Sequence, residues 1–237
     1  MTRIKQKHVE RYVLGNFLEN IDLQIPIIGI DNFESPDFVL KCPNRKISVE
    51  HTRYIHPKHK QIEEFRKKII DTAKEKFESI HSQPLRVFFH YSRRIMDTKI
   101  NPKSYYVDLL VQMVENIYLS NKDRNFVVST KRNKRENIYI DRVSISNDID
   151  RNLWQWIGAH LVEFADLDKL QKIINAKSML TGKYQIETDE KWLLIEASKG
   201  FKSSSYRFDH IIRGELQKGE FDRVFLFDCG PGDIFEA

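Results

Sequence analysis

Two short apolar strands, each carrying one carboxylate, constrain this chain more than any other feature. Glu34-Ser-Pro-Asp37-Phe-Val-Leu-Lys41 reads as a turn running into a strand, and Ile47-Ser-Val-Glu50-His-Thr52 reads as a second strand. The turn-rich segment Cys42-Pro-Asn-Arg-Lys46 separates them. Strand side chains alternate between faces. Asp37, Val39 and Lys41 therefore share one face of the first strand. Ser48, Glu50 and Thr52 share a face of the second, and Ile47, Val49 and His51 point the other way. If the strands pair, Asp37 and Glu50 can converge on one cation. A carboxylate in the middle of an apolar strand is costly unless it is paired or binds metal.

The neighbouring elements follow from periodicity. Residues 3 to 21 read as a helix, with Val9, Val13, Leu14, Phe17 and Ile21 on one side. Glu10 projects into that apolar side, where an acid is not expected without a purpose. Ile25 to Ile30 reads as a strand with Pro26 near its start. Gln61 to Ser82 reads as an amphipathic helix ended by Pro84, and Leu85 to Tyr91 as a strand rich in β-branched and aromatic residues. The order to residue 92 is thus helix, three strands, helix, strand, and the helical crossover suggests a mixed sheet with a parallel pair. Further on, helices are expected at 105–119, 167–180 and 206–217. Strands are expected at 126–130, 138–145, 192–197 and 223–228. No linker, repeat or low-complexity tract divides the chain, so residues 1–237 are read as a single domain.

Composition bounds the class. A 41% hydrophobic and 31% charged chain of 237 residues fits a globular protein. No apolar run reaches the ~18 residues of a membrane helix, and the first residues lack the apolar core of a signal peptide. With two cysteines, Cys42 and Cys229, a reduced, cytoplasmic protein is expected, although the two could pair. The net charge of +5 favours a polyanionic partner. Lys131, Arg132, Lys134 and Arg135 form one basic cluster, and Lys58, Lys60, Arg66, Lys67 and Lys68 another; the ordinary explanation of either is a solvated face.

With Pro36-Asp37, Glu50 and this element order, the chain resembles the PD-(D/E)XK phosphodiesterase superfamily, the restriction-endonuclease-like fold. The resemblance covers residues 3–92, with 93–237 as elaboration of the same domain. It implies an α/β fold whose mixed central sheet is flanked by helices (αβββαβ core). It also implies a Mg²⁺- or Mn²⁺-dependent nuclease acting on DNA. Asp37 and Glu50 would bind the metal, and Glu10 would add a third acid, as members often take one from the first helix. The lysine of the motif, two residues past the acid, is replaced here by Thr52. Thr52 can donate a hydrogen bond but carries no charge. Lys41 ranks first as a substitute amine, with Lys46 and Lys60 behind it. Gln61 would position substrate or water, and Lys60 and the 131–135 cluster would contact phosphates. A homodimer and a prokaryotic defence role are expectations from the resemblance alone.

This chemistry suits the residue types. Carboxylate-bound Mg²⁺ lowers the pKa of bound water and polarises a phosphoryl oxygen, and a nearby ammonium offsets developing charge. Plainer explanations stand beside it. Asp37 after Pro36 suits a turn, and Glu50 suits a half-exposed strand. His51, His56 and His59 lack the spacing of a zinc site. Lys172 and Lys177, followed by Tyr184, could approach phosphate, but a wet helical face accounts for them. Trp154, Trp156 and Trp192 fit a core. Without the motif lysine, the alternative is an inactive module that keeps the fold and binds nucleic acid or a protein. A metal-dependent hydrolase of another substrate is a third reading.

Overall fold

The computed structural model describes residues 3–23, 25–91, 101–131, 140–158 and 160–237. In chain order the elements are α1 (Arg3–Asn20), β1 (Gly29–Asn32), β2 (Phe38–Lys41), β3 (Lys46–Arg53), α2 (Pro57–Glu78), β4 (Arg86–Tyr91) and α3 (Lys103–Leu119). Then come β5 (Val127–Lys131), β6 (Ile140–Ser146), β7 (Leu153–Ile157), β8 (Glu163–Phe164), α4 (Leu167–Ser178) and a 3-10 turn at Thr181–Lys183. β9 (Glu190–Ala197), β10 (Tyr206–Arg207), β11 (Arg223–Asp228) and β12 (Asp233–Glu236) complete the chain. The chain is mixed α/β, as expected. Its contacts divide it into two compact units, Met1–His56 with Val162–Ala237, and Pro57–Leu161.

The first unit is built on a six-stranded sheet in the order β1-β2-β3-β9-β11-β12. β1, β2 and β3 form an antiparallel meander, β9 runs parallel to both β3 and β11, and β12 closes the far edge antiparallel. The apolar run Trp192-Leu-Leu-Ile195 supplies the middle of the sheet, where both faces are covered. On one face α1 packs Val13, Leu14 and Phe17 against Phe38, Val49, Trp192 and Phe225. On the other, α4 packs Leu170 and Ile174 with Tyr54, Leu193 and Ile195.

The second unit holds a four-stranded sheet, β5-β6-β4-β7, with α2 and α3 against one face. Phe77, Val87, Phe89, Leu110, Val114, Val143 and Trp154 belong to its core.

Three expectations are corrected. The helix and strand that follow β3 in sequence do not complete its sheet: α2 and β4 belong to the second unit, and the parallel neighbour of β3 is β9. Burial explains the exchange. β9 is buried without interruption from Trp192 to Ala197, whereas β4 alternates buried and half-buried residues and suits a sheet covered on one face. The helix expected at 206–217 is instead strand β10 followed by turns, with Gly214 at a φ of 86°. The first strand begins at Gly29, beyond Pro26. Strands β7, β8 and β12 were not foreseen. Among the described residues no helix is long and apolar enough to cross a membrane.

Candidate functional site

Asp37 immediately precedes β2, and the antiparallel register pairs Phe38 with Val49. This puts Asp37 beside the Glu50–His51 stretch of β3, and the backbone N–H of His51 donates to Asp37 Oδ2 at 3.0 Å. The His51 ring faces the opposite side of the sheet from Glu50. There its Nε2 lies 2.7 Å from Glu196 Oε2, with both side chains buried, and Arg53 Nε pairs with Glu196 Oε1 at 3.0 Å. One residue thus fixes Asp37 through its main chain while its imidazole is anchored elsewhere.

The second contribution comes from α1. Glu10 lies one turn before Val13 and Leu14 on the packing stripe, and only 8% of its surface is exposed. One further turn back, Lys7 reaches both acids, with Nζ 2.7 Å from Asp37 Oδ1 and 3.3 Å from Glu10 Oε2. Gln6 Nε2 donates to Glu10 Oε1 at 2.9 Å. Burial alone would lower the pKa of Lys7, but the hydrogen bond and charge of Asp37, together with Glu10, outweigh it and raise the pKa. Lys7 is therefore a firmly held ammonium group.

The third contribution comes from α4 and the turn after it. Asp166 caps the helix by accepting from the Lys169 backbone N–H at 2.8 Å, and Leu170 and Ile174 anchor it. Lys177 follows Ile174 by three positions in the last turn, where a cation also complements the helix dipole. Its Nζ lies 2.7 Å from Glu50 Oε1. The Tyr184 hydroxyl donates to Glu50 Oε2 at 3.3 Å. Burial, then the charge and hydrogen bond of Glu50, then the charge of Asp37, raise the pKa of Tyr184, so the phenol stays protonated and donates.

The sequence-expected residues divide accordingly. Asp37, Glu50 and Glu10 belong to linked polar contacts in the first unit. Thr52 is two residues past Glu50 on the same strand face, half-buried and opposite Ile195. Lys41 is not the amine at this site: its Nζ pairs with Asp31 Oδ2 at 2.7 Å, a diagonal neighbour across β1 and β2. Lys60 and Gln61 lie on α2 in the second unit, where Lys60 pairs with Glu64. Lys131 ends β5, and Arg132, Lys134 and Arg135 lie outside the described residues. Lys177 and Tyr184, which sequence reasoning assigned to a wet face, instead contact Glu50, and Lys7 was missed. The signals that could have found them were helical spacing: three residues before Glu10 for Lys7, and three after Ile174 for Lys177.

The donors are hard oxygens of the kind that bind Mg²⁺ or Mn²⁺. Among the described residues, no three His, Cys, Asp or Glu side chains form one metal-holding group. Two carboxylates with waters are enough for Mg²⁺, which commonly keeps several. Lys7 is shared by Asp37 and Glu10, whereas Glu50 is met by Lys177 and Tyr184. A bound cation would have to displace Lys7 from Asp37 or Tyr184 from Glu50. No protein-family model, curated protein or solved structure matches this chain.

Proposed function

We propose that the chain is a metal-dependent phosphodiesterase of the restriction-endonuclease-like kind, acting on nucleic acid, with DNA as the substrate the resemblance suggests. One observation carries the reading: an ammonium group, Lys177 Nζ, stands 2.7 Å from the carboxylate of Glu50 while the motif position for lysine holds Thr52. The amine that this chemistry needs comes from helix α4 rather than from strand β3. Topology supports the reading as well. With Pro57–Leu161 set aside as an insertion, the first unit runs α1, β1, β2, β3, the two-residue β8, α4, β9, and β9 is parallel to β3. Apart from β8, which pairs with β10 outside the six-stranded sheet, this order is similar to the αβββαβ core that the resemblance implies.

Asp37 and Glu50 would hold Mg²⁺ or Mn²⁺, which when bound supplies a hydroxide nucleophile near neutral pH and polarises the phosphate. The chain's own groups do the remainder. His51 N–H orients Asp37, so that Oδ1 is the oxygen left to turn toward the reacting centre. Lys177 offsets negative charge that develops on the phosphoryl oxygens and orients the attacking water. Tyr184 donates a hydrogen bond from the same side of Glu50. Glu10 receives Lys7 when Asp37 is engaged.

A second reading, a binding module without activity, is favoured by one specific feature: each oxygen of Asp37 and Glu50 already has a donor within the protein. Plasmid DNA, linear duplex and RNA incubated with Mg²⁺ or Mn²⁺ separate the two. The enzyme reading expects cleavage by wild type and its loss in Asp37→Ala and Glu50→Ala. Absence of cleavage, or equal cleavage by the variants, would leave the binding module.

A further inference from the structure

Among the described residues of the second unit, no helix packs on one face of its sheet. α2 and α3 cover the side carrying Val87, Phe89, Val143 and Trp154. Strand alternation sends Arg86, Phe88 and His90 of β4, with Arg142 and Ser144 of β6, to the opposite side. Phe88 is half-buried and is not part of the core beneath the helices. Across this face runs a row of polar contacts. Arg142 Nη2 donates to His90 Nδ1 at 3.2 Å, His90 Nε2 meets Ser144 Oγ at 3.2 Å, and Ser144 meets Ser129 Oγ at 3.1 Å. Burial, and then the charge of Arg142, lower the pKa of His90, which keeps the ring neutral and its Nδ1 an acceptor.

The charges on this face are unbalanced. Arg86 pairs with Asp148 at 3.4 Å, but Arg142 is exposed and forms no ion pair among the described residues. Its guanidinium carries five N–H donors, of which His90 takes one. The face thus combines an aromatic ring in the middle of the sheet, a row of hydroxyl and imidazole groups, and an exposed guanidinium. A sheet of this kind is too broad to enter a duplex groove, whereas unpaired bases can stack on its ring while phosphates meet its cations.

We propose that this uncovered face binds single-stranded nucleic acid, with Phe88 as the stacking platform and Arg142 as the principal phosphate contact. The assignment does not depend on the catalytic reading of the first unit. The test uses the full-length chain, EDTA to exclude cleavage, and fluorescence anisotropy with a labelled single-stranded oligonucleotide, as DNA and as RNA, and the matching duplex. Wild type binds the single strand more tightly than the duplex. Phe88→Ala weakens binding by about tenfold, the order expected for one stacked base, and Phe88→Tyr retains it. Arg142→Ala weakens binding and lowers the slope of log affinity against log salt by about 0.7. Lys74→Ala, on the helix layer, binds as wild type does. Thermal melts monitored by circular dichroism check that each variant is folded. Failure of wild type to bind single strands overturns the proposal. So does equal binding by folded Phe88→Ala and Arg142→Ala, or a duplex preference.

Discussion

Lys7 and Lys177 each bring an ammonium group within hydrogen-bond distance of one strand carboxylate, and their neighbours give them different roles. Lys7 bridges Asp37 and Glu10, so it is a tethered counter-ion at the place the proposed function assigns to a metal ion. Replacing it removes a competitor. Lys7→Met should tighten Mn²⁺ binding by about tenfold, or ~1.4 kcal/mol, in a calorimetric titration; an unchanged affinity would show that Lys7 does not compete. Cys229 offers a separate check on local electrostatics. Burial, then the charges of Glu196 and Asp228, push its thiol up to about 12. Its thiolate is therefore scarce at pH 8, and alkylation in the native protein should be on the order of 10–100-fold slower than for a free thiol. A fast native reaction at Cys229 would contradict that environment. At this scale the sequence made Asp37, Glu50 and Glu10 legible, because a carboxylate inside an apolar pattern stands out. The two amines were not legible. Lys7 lies 30 residues from Asp37 and Lys177 lies 127 from Glu50, and only tertiary packing brings those pairs together.

Helices α1 and α4 deliver the two amines to the sheet of the first unit, and each is held by few contacts. Phe17 of α1 is fully buried, with its ring centroid 5.0 Å from that of Phe225 and 5.8 Å from that of Phe227. Phe17→Ala should cost about 3–5 kcal/mol in urea unfolding. A loss below about 1 kcal/mol would mean that α1 does not depend on this packing. For α4, Asp166→Ala removes the N-terminal cap and should cost about 1 kcal/mol. Most helices and strands were readable from periodicity, because a covered face imposes a period on the chain. Sheet membership was not. The crossover after β3 passes through residues 57–161 before β9 pairs with it, and sequence order pointed to β4 instead. The difference lay in burial, since β9 is buried without interruption from Trp192 to Ala197 and β4 alternates buried and half-buried residues. The segment 206–217 differs for another reason: Tyr206 and Phe208 are buried at the two-residue spacing of an extended chain, and Gly214 adopts a left-handed conformation that a helix does not accommodate.

For the whole molecule, the account combines a carboxylate–lysine cluster in one unit with an open sheet face in the other, on a chain of net charge +5. A polyanionic partner follows from that charge only in its salt dependence, because charge alone carries no address. The proposed activity rests on the cluster. Its most direct measurement is the single-turnover cleavage rate of a labelled duplex at saturating Mn²⁺, with Mn²⁺ binding followed in parallel. Wild type should cleave and Glu50→Gln should be inert. Lys177→Met should bind Mn²⁺ yet cleave about 10²–10³-fold more slowly, the usual cost of removing one group that stabilises charge in the transition state. Cleavage by Lys177→Met at the wild-type rate, or an inert wild type with Mn²⁺ bound, would contradict the account.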